Sequence, residues 1–286
     1  IKERIKLMKR KKENILIIGA GLCGSLLALR MGQRGYQVTL IEKRPDLRKV
    51  EQDAGRSINL AFSDRGMKAM KMVGLQEEVN KLCLPMLGRM IHDKESNKFM
   101  SFYCGQKDKY INTISRPGLN MLLLDTAKKL PNVTLIFNQS CQSVDFKSTT
   151  AIFKDYYTKE ENTYKADLLF GTDGAGSVIR NKMFSNKDLR LSFSIDWLSH
   201  SYKELTIPAT ENGSFQAEHN ALHIWPRGEN MLISLPNLDG SFTVTLFLAH
   251  QTGDDNFEKL NTPEKVNEYF EREFPDAKAL MPNLTE

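Results

Sequence analysis

The stretch from Asn14 to Glu42 leaves this chain few ways to fold. Ile15-Leu16-Ile17-Ile18 is an apolar run with β-branched residues at its edge, the composition of a buried parallel strand. Gly19-Ala20-Gly21-Leu22-Cys23-Gly24 follows, then an apolar-periodic run, then Val38-Thr39-Leu40-Ile41 and Glu42. The order is strand, glycine turn, helix, strand, acid. Glycines at 19, 21 and 24 permit a sharp turn and let the backbone come close to a pyrophosphate, while the helix N-terminus presents free N–H groups and a partial positive charge. Glu42 lies at the distance from the turn where an acid accepts hydrogen bonds from an adenosine ribose, and an acid there favours a 2′-hydroxyl over a 2′-phosphate. A set of packing glycines is the plain alternative, but strand, helix, second strand and acid occur together, which predicts dinucleotide binding. The fingerprint does not choose between FAD and NAD.

At 286 residues with 41% hydrophobic content, the chain can build one large domain or two moderate ones. Its formal charge of +5 does not mark a nucleic-acid surface. Seven basic residues against Glu3 and Glu13 make residues 1–13 a basic tail that accounts for the whole excess, and no basic stripe with interleaved aromatics follows. The tail lacks the apolar core of a secretory signal, and no stretch is long and apolar enough to span a bilayer, so the expectation is a cytoplasmic protein without a membrane segment. Met8 reads as a natural start. Cys23, Cys83, Cys104 and Cys141 are scattered without metal-ligand or disulfide spacing and read as free thiols. His219 and His223 have helical metal-pair spacing, but His223 falls in a strand pattern and no third ligand is evident, so no metal site is expected.

Beyond Glu42, Ser63 is positioned to cap a helix over 64–73. Arg89-Met90-Ile91-His92 and Phe99-Met100-Ser101-Phe102-Tyr103 read as a hairpin. Taken alone, Arg89 is a surface arginine and Tyr103 a half-buried tyrosine. Leu119, Leu122, Leu123, Ala127 and Leu130 form one helical face, and Val133 to Phe137 returns to strand. Residues 142–165 read as a meander. Ala166 to Phe170 then delivers Gly171-Thr172-Asp173-Gly174-Ala175-Gly176 into a second helix, a glycine-rich turn with one acid at a strand's C-terminal edge, where α/β sheets place ligand contacts. From Leu191 the chain is β-rich and aromatic, suggesting an antiparallel sheet, and Thr262 caps an amphipathic helix over 262–273.

The glycine fingerprint, the Gly171-Thr172-Asp173-Gly174 turn and the late β-region together resemble the FAD-dependent aromatic hydroxylases. Gly55-Arg56-Ser57-Ile58-Asn59-Leu60-Ala61, Gly88-Arg89-Met90-Ile91-His92, Glu204-Leu205-Thr206-Ile207-Pro208 and Leu222-His223-Ile224-Trp225-Pro226-Arg227 resemble, within that family, the branch that hydroxylates L-kynurenine. The resemblance implies an α/β fold: a Rossmann-like FAD-binding domain of the glutathione-reductase type (14–83 and 114–185) with an interposed antiparallel β-sheet substrate domain (84–113 and 186–286). It implies a flavin reduced by NADPH, which adds O2 as a C4a-hydroperoxide and passes oxygen to the substrate ring, giving 3-hydroxykynurenine. Arg89 would pair with the substrate carboxylate and Tyr103 would hydrogen-bond it, replacing the plain reading of both; a planar guanidinium suits a carboxylate. Gly19, Gly21, Gly24 and the backbones of Cys23, Ala61 and Cys141 would line FAD. Glu42, Lys43 and Arg44 would hold its adenosine end, Arg116 its flavin side, and Asp173 with Gly174 the ribityl chain. No protein nucleophile is needed when the cofactor carries the chemistry.

Family members continue into a Gly-Asp-Ala-Ala-His segment that contacts FAD and into C-terminal helices over the substrate. Neither motif occurs up to Glu286, so the resemblance implies an N-terminal portion with an incomplete flavin-ring cradle. Two alternatives stay open: a non-catalytic FAD-binding fragment, and a flavin monooxygenase for another aromatic substrate.

Overall fold

The computed structural model describes residues 13–50, 59–106 and 108–285. Residues 1–12 of the basic tail and residues 55–58 of the glycine-arginine motif lie outside them. In chain order the elements are β1 (Asn14–Ile18), α1 (Leu22–Gln33), β2 (Gln37–Ile41), β3 (Asn59–Phe62), α2 (Asp64–Met72), α3 (Gln76–Asn80), β4 (Cys83–Met86), β5 (Gly88–His92) and β6 (Lys98–Phe102). There follow β7 (Ile111–Ser115), α4 (Arg116–Lys128), β8 (Val133–Ile136), β9 (Gln139–Asp145), β10 (Thr150–Asp155), β11 (Glu161–Lys165), β12 (Leu168–Gly171) and α5 (Val178–Ser185). The last are β13 (His200–Ile207), β14 (Ala221–Arg227), β15 (Asn230–Pro236), β16 (Phe242–Ala249), α6 (Pro263–Glu273) and α7 (Pro275–Lys278).

The chain divides into two compact units, one of residues 1–52 and 119–194, the other of 53–118 and 195–286. These cuts differ from the boundaries read in the sequence. β3 and β4 pair with β7 in a small antiparallel sheet, which carries residues 59–86 into the second unit instead of the first.

In the first unit, β12, β1, β2 and β8 form a four-stranded sheet in that order, every pairing parallel. The apolar run Ile15–Ile18 is almost fully buried at its centre, as a strand covered on both faces must be. β1, α1 and β2 make one βαβ unit, and the antiparallel β9–β10–β11 ladder is the expected meander. Its Phe153, Ala151 and Cys141 pack with Leu16, Ile18, Ile41 and Ile179 in one core cluster.

In the second unit, six strands run in the order β13-β16-β15-β14-β5-β6. The hairpin read at Arg89 and Phe99 is β5–β6, in the register Arg89 opposite Ser101. Four of the five pairings are antiparallel; β14 joins β5 in parallel, which brings two segments far apart in sequence side by side. Burial alternates along β14 and β16, so one face of the sheet is covered and the other is not. The covered face contributes Ile207, Trp225, Leu232, Val244, Leu246 and Leu248 to a core closed by Tyr269 and Phe270 of α6 and by Phe274 and Ala277. Thr262 caps α6 by accepting from the Lys265 N–H, whereas Ser63, read as the cap of α2, makes no side-chain capping bond.

Candidate functional site

In the first unit the glycine turn links the C-terminal end of β1 to α1, and each glycine does something different. Gly19 has φ +101°, and a Cβ there would lie 2.5 Å from the Thr172 carbonyl oxygen, so backbone meets backbone at this point. A Cβ on Gly24 would lie 1.9 Å from the Gly19 carbonyl oxygen. Gly21, the N-cap residue of α1, is the opposite case: nothing lies within 4 Å of where its Cβ would be. Packing therefore requires Gly19 and Gly24, while Gly21 borders open space. Gly21 has no side chain to cap α1, and the first turn of that helix contains no acid, which leaves its leading N–H groups for an anion.

Glu42 is buried, and both of its carboxylate oxygens accept hydrogen bonds. Oε2 accepts the Ala20 N–H at 2.8 Å; Oε1 accepts the Arg44 Nε–H at 2.8 Å and the Arg44 N–H at 3.0 Å. Burial by itself would raise the carboxyl pKa, but the bonds from Arg44 and Ala20 outweigh it and hold the group below its ordinary value. Glu42 thus remains an anion against the turn. Lys43 and Cys23 are exposed.

The second glycine-rich turn stands beside the first. The Thr172 hydroxyl donates to the Gly19 carbonyl at 2.7 Å, and Gly174, at φ +81°, has open space around it, as does Gly176. Asp173 holds the start of α5: it accepts from the Ser177 hydroxyl at 2.6 Å and from the Val178 and Ile179 N–H groups at 2.7 and 3.3 Å. This is a capping role the sequence reading did not assign. Cys141 is buried on β9, its thiol pushed up to about 11 by burial and by the charge of Asp173, so it is a neutral thiol.

In the second unit, register places Arg89 on the uncovered face of the large sheet, in one row with Leu222, while Ile91, Ile224, Ile233 and Thr245 form the next. The guanidinium of Arg89 lies over the ring of Tyr103, 5.0 Å from its centroid. The Tyr103 hydroxyl is buried and has no hydrogen-bond partner among the described residues; burial raises its pKa and the charge of Arg89 offsets part of that rise. Toward β13 a cavity of about 560 Å³ is lined by Asn59, Thr113, Glu204, Thr206, Asn237 and Thr243. Ala61 is exposed on β3, opposite Thr113, and Arg116 is exposed as the first residue of α4.

A family model described as FAD binding domain matches residues 12–280. The chain belongs to this FAD-binding family. Its curated relatives include the kynurenine 3-monooxygenases of Myxococcus xanthus (45% identical, covering 96% of this chain and 59% of the relative), Dictyostelium discoideum (44%, 94% and 57%) and Anopheles gambiae (39%, 96% and 55%). The chain thus spans under three fifths of the length of these relatives. Among solved structures, p-nitrophenol 4-monooxygenase PnpA from Pseudomonas putida DLL-E4 superposes with a TM-score of 0.70 at 16% identity, over 95% of this chain and 64% of that one. A flavoprotein/dehydrogenase from Cytophaga hutchinsonii gives 0.70 at 18%, over 94% and 63%. At such identities these two show the fold alone.

The residues of this FAD-binding chain fit a dinucleotide: an uncapped helix start, open space at Gly21 and Gly174, and an ionised acid at the end of β2. Within the first unit, Gly19, Gly21, Gly24, Glu42, Arg44, Asp173 and Gly174 gather at the ends of β1, β2 and β12. Within the second, Arg89 and Tyr103 meet. Two residues at the turn escape the sequence reading, Ser25 and Asn120, both buried polar side chains. Asn120 was detectable only as a polar interruption in the apolar face of its helix. Also unforeseen is a buried network in the second unit, in which His92 bonds Asp276 at 2.6 Å and His223 at 2.8 Å while the Trp225 indole donates to Asp276 at 2.9 Å. Among the described residues no group of His, Cys, Asp and Glu could hold a metal, and no helix is long and apolar enough to cross a membrane.

Proposed function

We propose that this chain is the cofactor- and substrate-recognition part of a kynurenine 3-monooxygenase. The first compact unit would bind FAD and the second L-kynurenine. The overall reaction consumes kynurenine, O2, NADPH and a proton and yields 3-hydroxykynurenine, NADP+ and water. Bound FAD supplies the redox chemistry, accepting a hydride from NADPH and activating O2. The observation that carries the reading is Arg89. It stands on the uncovered face of an otherwise apolar stretch of sheet, stacked on a tyrosine whose hydroxyl is unpaired, and relatives 39–45% identical across nearly the whole chain bear the kynurenine 3-monooxygenase name.

In this reading the α1 N-terminus, with Gly19, Gly21, Gly24 and the Cys23 backbone, receives the pyrophosphate, and Glu42, Lys43 and Arg44 hold the adenosine end. Asp173 fixes the turn that offers the Gly174 backbone to the ribityl side. The Cys141 backbone adds a further cofactor contact from the first unit; Ala61 and Arg116, which the resemblance also gives to the cofactor, belong to the second unit. Arg89 binds the kynurenine carboxylate through paired N–H groups, the Tyr103 hydroxyl adds a further bond, and Ile91, Leu222 and Ile224 seat the aromatic ring on a dry surface.

The test has two stages. The chain is titrated with FAD by flavin fluorescence, and kynurenine binding is then measured on the flavin-loaded protein. Arg89→Ala is expected to weaken kynurenine binding by about 2–3 kcal/mol, the value of a charge-assisted pair, with flavin retained. Unchanged kynurenine affinity removes Arg89 from the site, and failure of NADPH oxidation to respond to kynurenine in protein that extends past Glu286 removes the substrate.

A further inference from the structure

We propose that Ser25 and Asn120 are positioning residues for the pyrophosphate turn, acting through the carbonyl of Ala20; the proposal rests on the FAD reading above. Both side chains are buried in helices, at 0% and 5% exposure. A buried polar side chain destabilises unless it is paired, so its partner reveals its purpose. Here the partner is shared. Asn120 Nδ2 donates to the Ala20 oxygen at 3.1 Å across a separation of 100 residues. The Ser25 hydroxyl reaches the same oxygen at 3.0 Å and the Asn120 Oδ1 at 3.2 Å.

The peptide on the other side of Ala20 is held as well: the Ala20 N–H donates to Glu42, and the Gly19 oxygen accepts from Thr172. Both peptide planes flanking Ala20 are therefore pinned from the protein side. A trans peptide is planar, with its C=O and N–H pointing in opposite directions. Drawing the Ala20 carbonyl toward Asn120 and Ser25 turns the Gly21 N–H the opposite way, and among the described residues nothing lies within 4 Å of where a Cβ of that same Gly21 would be. In effect two side chains outside the fingerprint set the direction of one of its anion-binding donors. Because Ser25 has one proton and two acceptors in reach, and the Ala20 oxygen has two lone pairs, either side chain can sustain the arrangement when the other is lost.

The experiment compares the parent chain with Ser25→Ala, Asn120→Leu and the double variant. ADP and FAD are titrated, ADP reporting on the adenosine and pyrophosphate end alone, and amide hydrogen exchange is followed in the unliganded chains. Each single change is expected to weaken ADP roughly three- to ten-fold, and the double change by more than the product of the two, because the singles back each other up. Gly21 to Cys23 amides should exchange faster in the double variant while β1 and β2 keep their protection. Parent-like ADP affinity in the double variant overturns the proposal, as does loss of protection spread evenly over β1, β2 and α4, which marks a general packing role. If the parent chain binds neither ADP nor FAD, the FAD reading fails, and the exchange at Gly21 alone decides whether the two side chains hold the turn.

Discussion

Gly21→Ala separates folding from cofactor binding, because no described residue fills the space beside Gly21. The backbone there has φ −67° and ψ −177°, a conformation alanine adopts freely, and a methyl group would meet nothing within 4 Å. Two small stability effects oppose each other: alanine is a poorer N-cap than glycine, by about 0.5–1 kcal/mol, and it reduces the entropy of the unfolded chain by about 0.4–1 kcal/mol. Unliganded Gly21→Ala should therefore melt within a few degrees of the parent chain. FAD is different, since a pyrophosphate seated on the turn would occupy that space, and the methyl group should weaken binding by about 2 kcal/mol or more, the scale of overpacking a tight contact. Gly24→Ala is the control: its Cβ would fall 1.9 Å from the Gly19 oxygen and 2.6 Å from Thr172 Oγ1, so the unliganded protein itself should be destabilised by several kcal/mol, about the upper range for overpacking. Thermal unfolding without ligand and fluorescence titration with FAD read the two effects apart. Parent-like FAD affinity in Gly21→Ala would refute close approach at this glycine, and unfolding as severe as that of Gly24→Ala would refute the open space.

Tyr103→Phe removes a buried hydroxyl that has no partner, so unliganded stability should hold or rise by up to about 1 kcal/mol while kynurenine affinity falls by a similar amount; calorimetry and a binding titration check both. Burial pushes His223 down to about 4 from 6.5. Between those values the unfolded chain takes up a proton that the folded chain refuses, so stability should decline by about 3 kcal/mol as pH drops from 6.5 to 4; denaturant melts across that window in the parent and in His223→Gln, which should lose this part of the slope, test it. Asp276 carries a depressed pKa, its burial outweighed by bonds from His92 and Trp225, and adds acid-side loss in the same direction as pH falls through its folded value. Asp173→Asn should loosen α5 by about 1–2 kcal/mol through loss of a charge-assisted cap, visible as faster exchange of amides just after Ser177.

The first βαβ unit and its glycine turn were legible because they are local. Twenty-nine residues from Asn14 to Glu42 contain strand, turn, helix and acid in order, and periodicity identifies each. Asp173 was read as a ligand-side acid, whereas its bonds to the Ser177 hydroxyl and the first N–H groups of α5 were not legible, because they depend on which way a carboxylate turns once the loop closes. The partner of Asn120 was hidden for another reason: the carbonyl it bonds is 100 residues away, and a polar residue in an apolar helical face has no partner that local spacing can name. The β14–β5 pairing was hidden likewise, since parallel neighbours need no turn signal between them. Ser63 shows the converse: it stands at the N-cap of α2 as read, yet its side chain makes no capping bond.

The second unit tolerates two local disadvantages on one side of one sheet. Its large sheet must bury a face to be stable, and α6 and α7 meet that need, which leaves Ile91, Leu222, Ile224, Ile233 and Phe247 half-exposed on the other. Beside them Tyr103 keeps a desolvated hydroxyl without a partner, a disadvantage of about 1–3 kcal/mol. Neither is relieved by the adjacent Arg89, whose cation meets the ring of Tyr103 and not its oxygen. In the reading proposed for Arg89, one ligand type would answer both at once: an aromatic ring to cover the apolar face, joined to a carboxylate that takes the guanidinium and the hydroxyl together. Local rules broken side by side, with a single chemical remedy, are what a binding surface retains and a purely structural sheet would have lost.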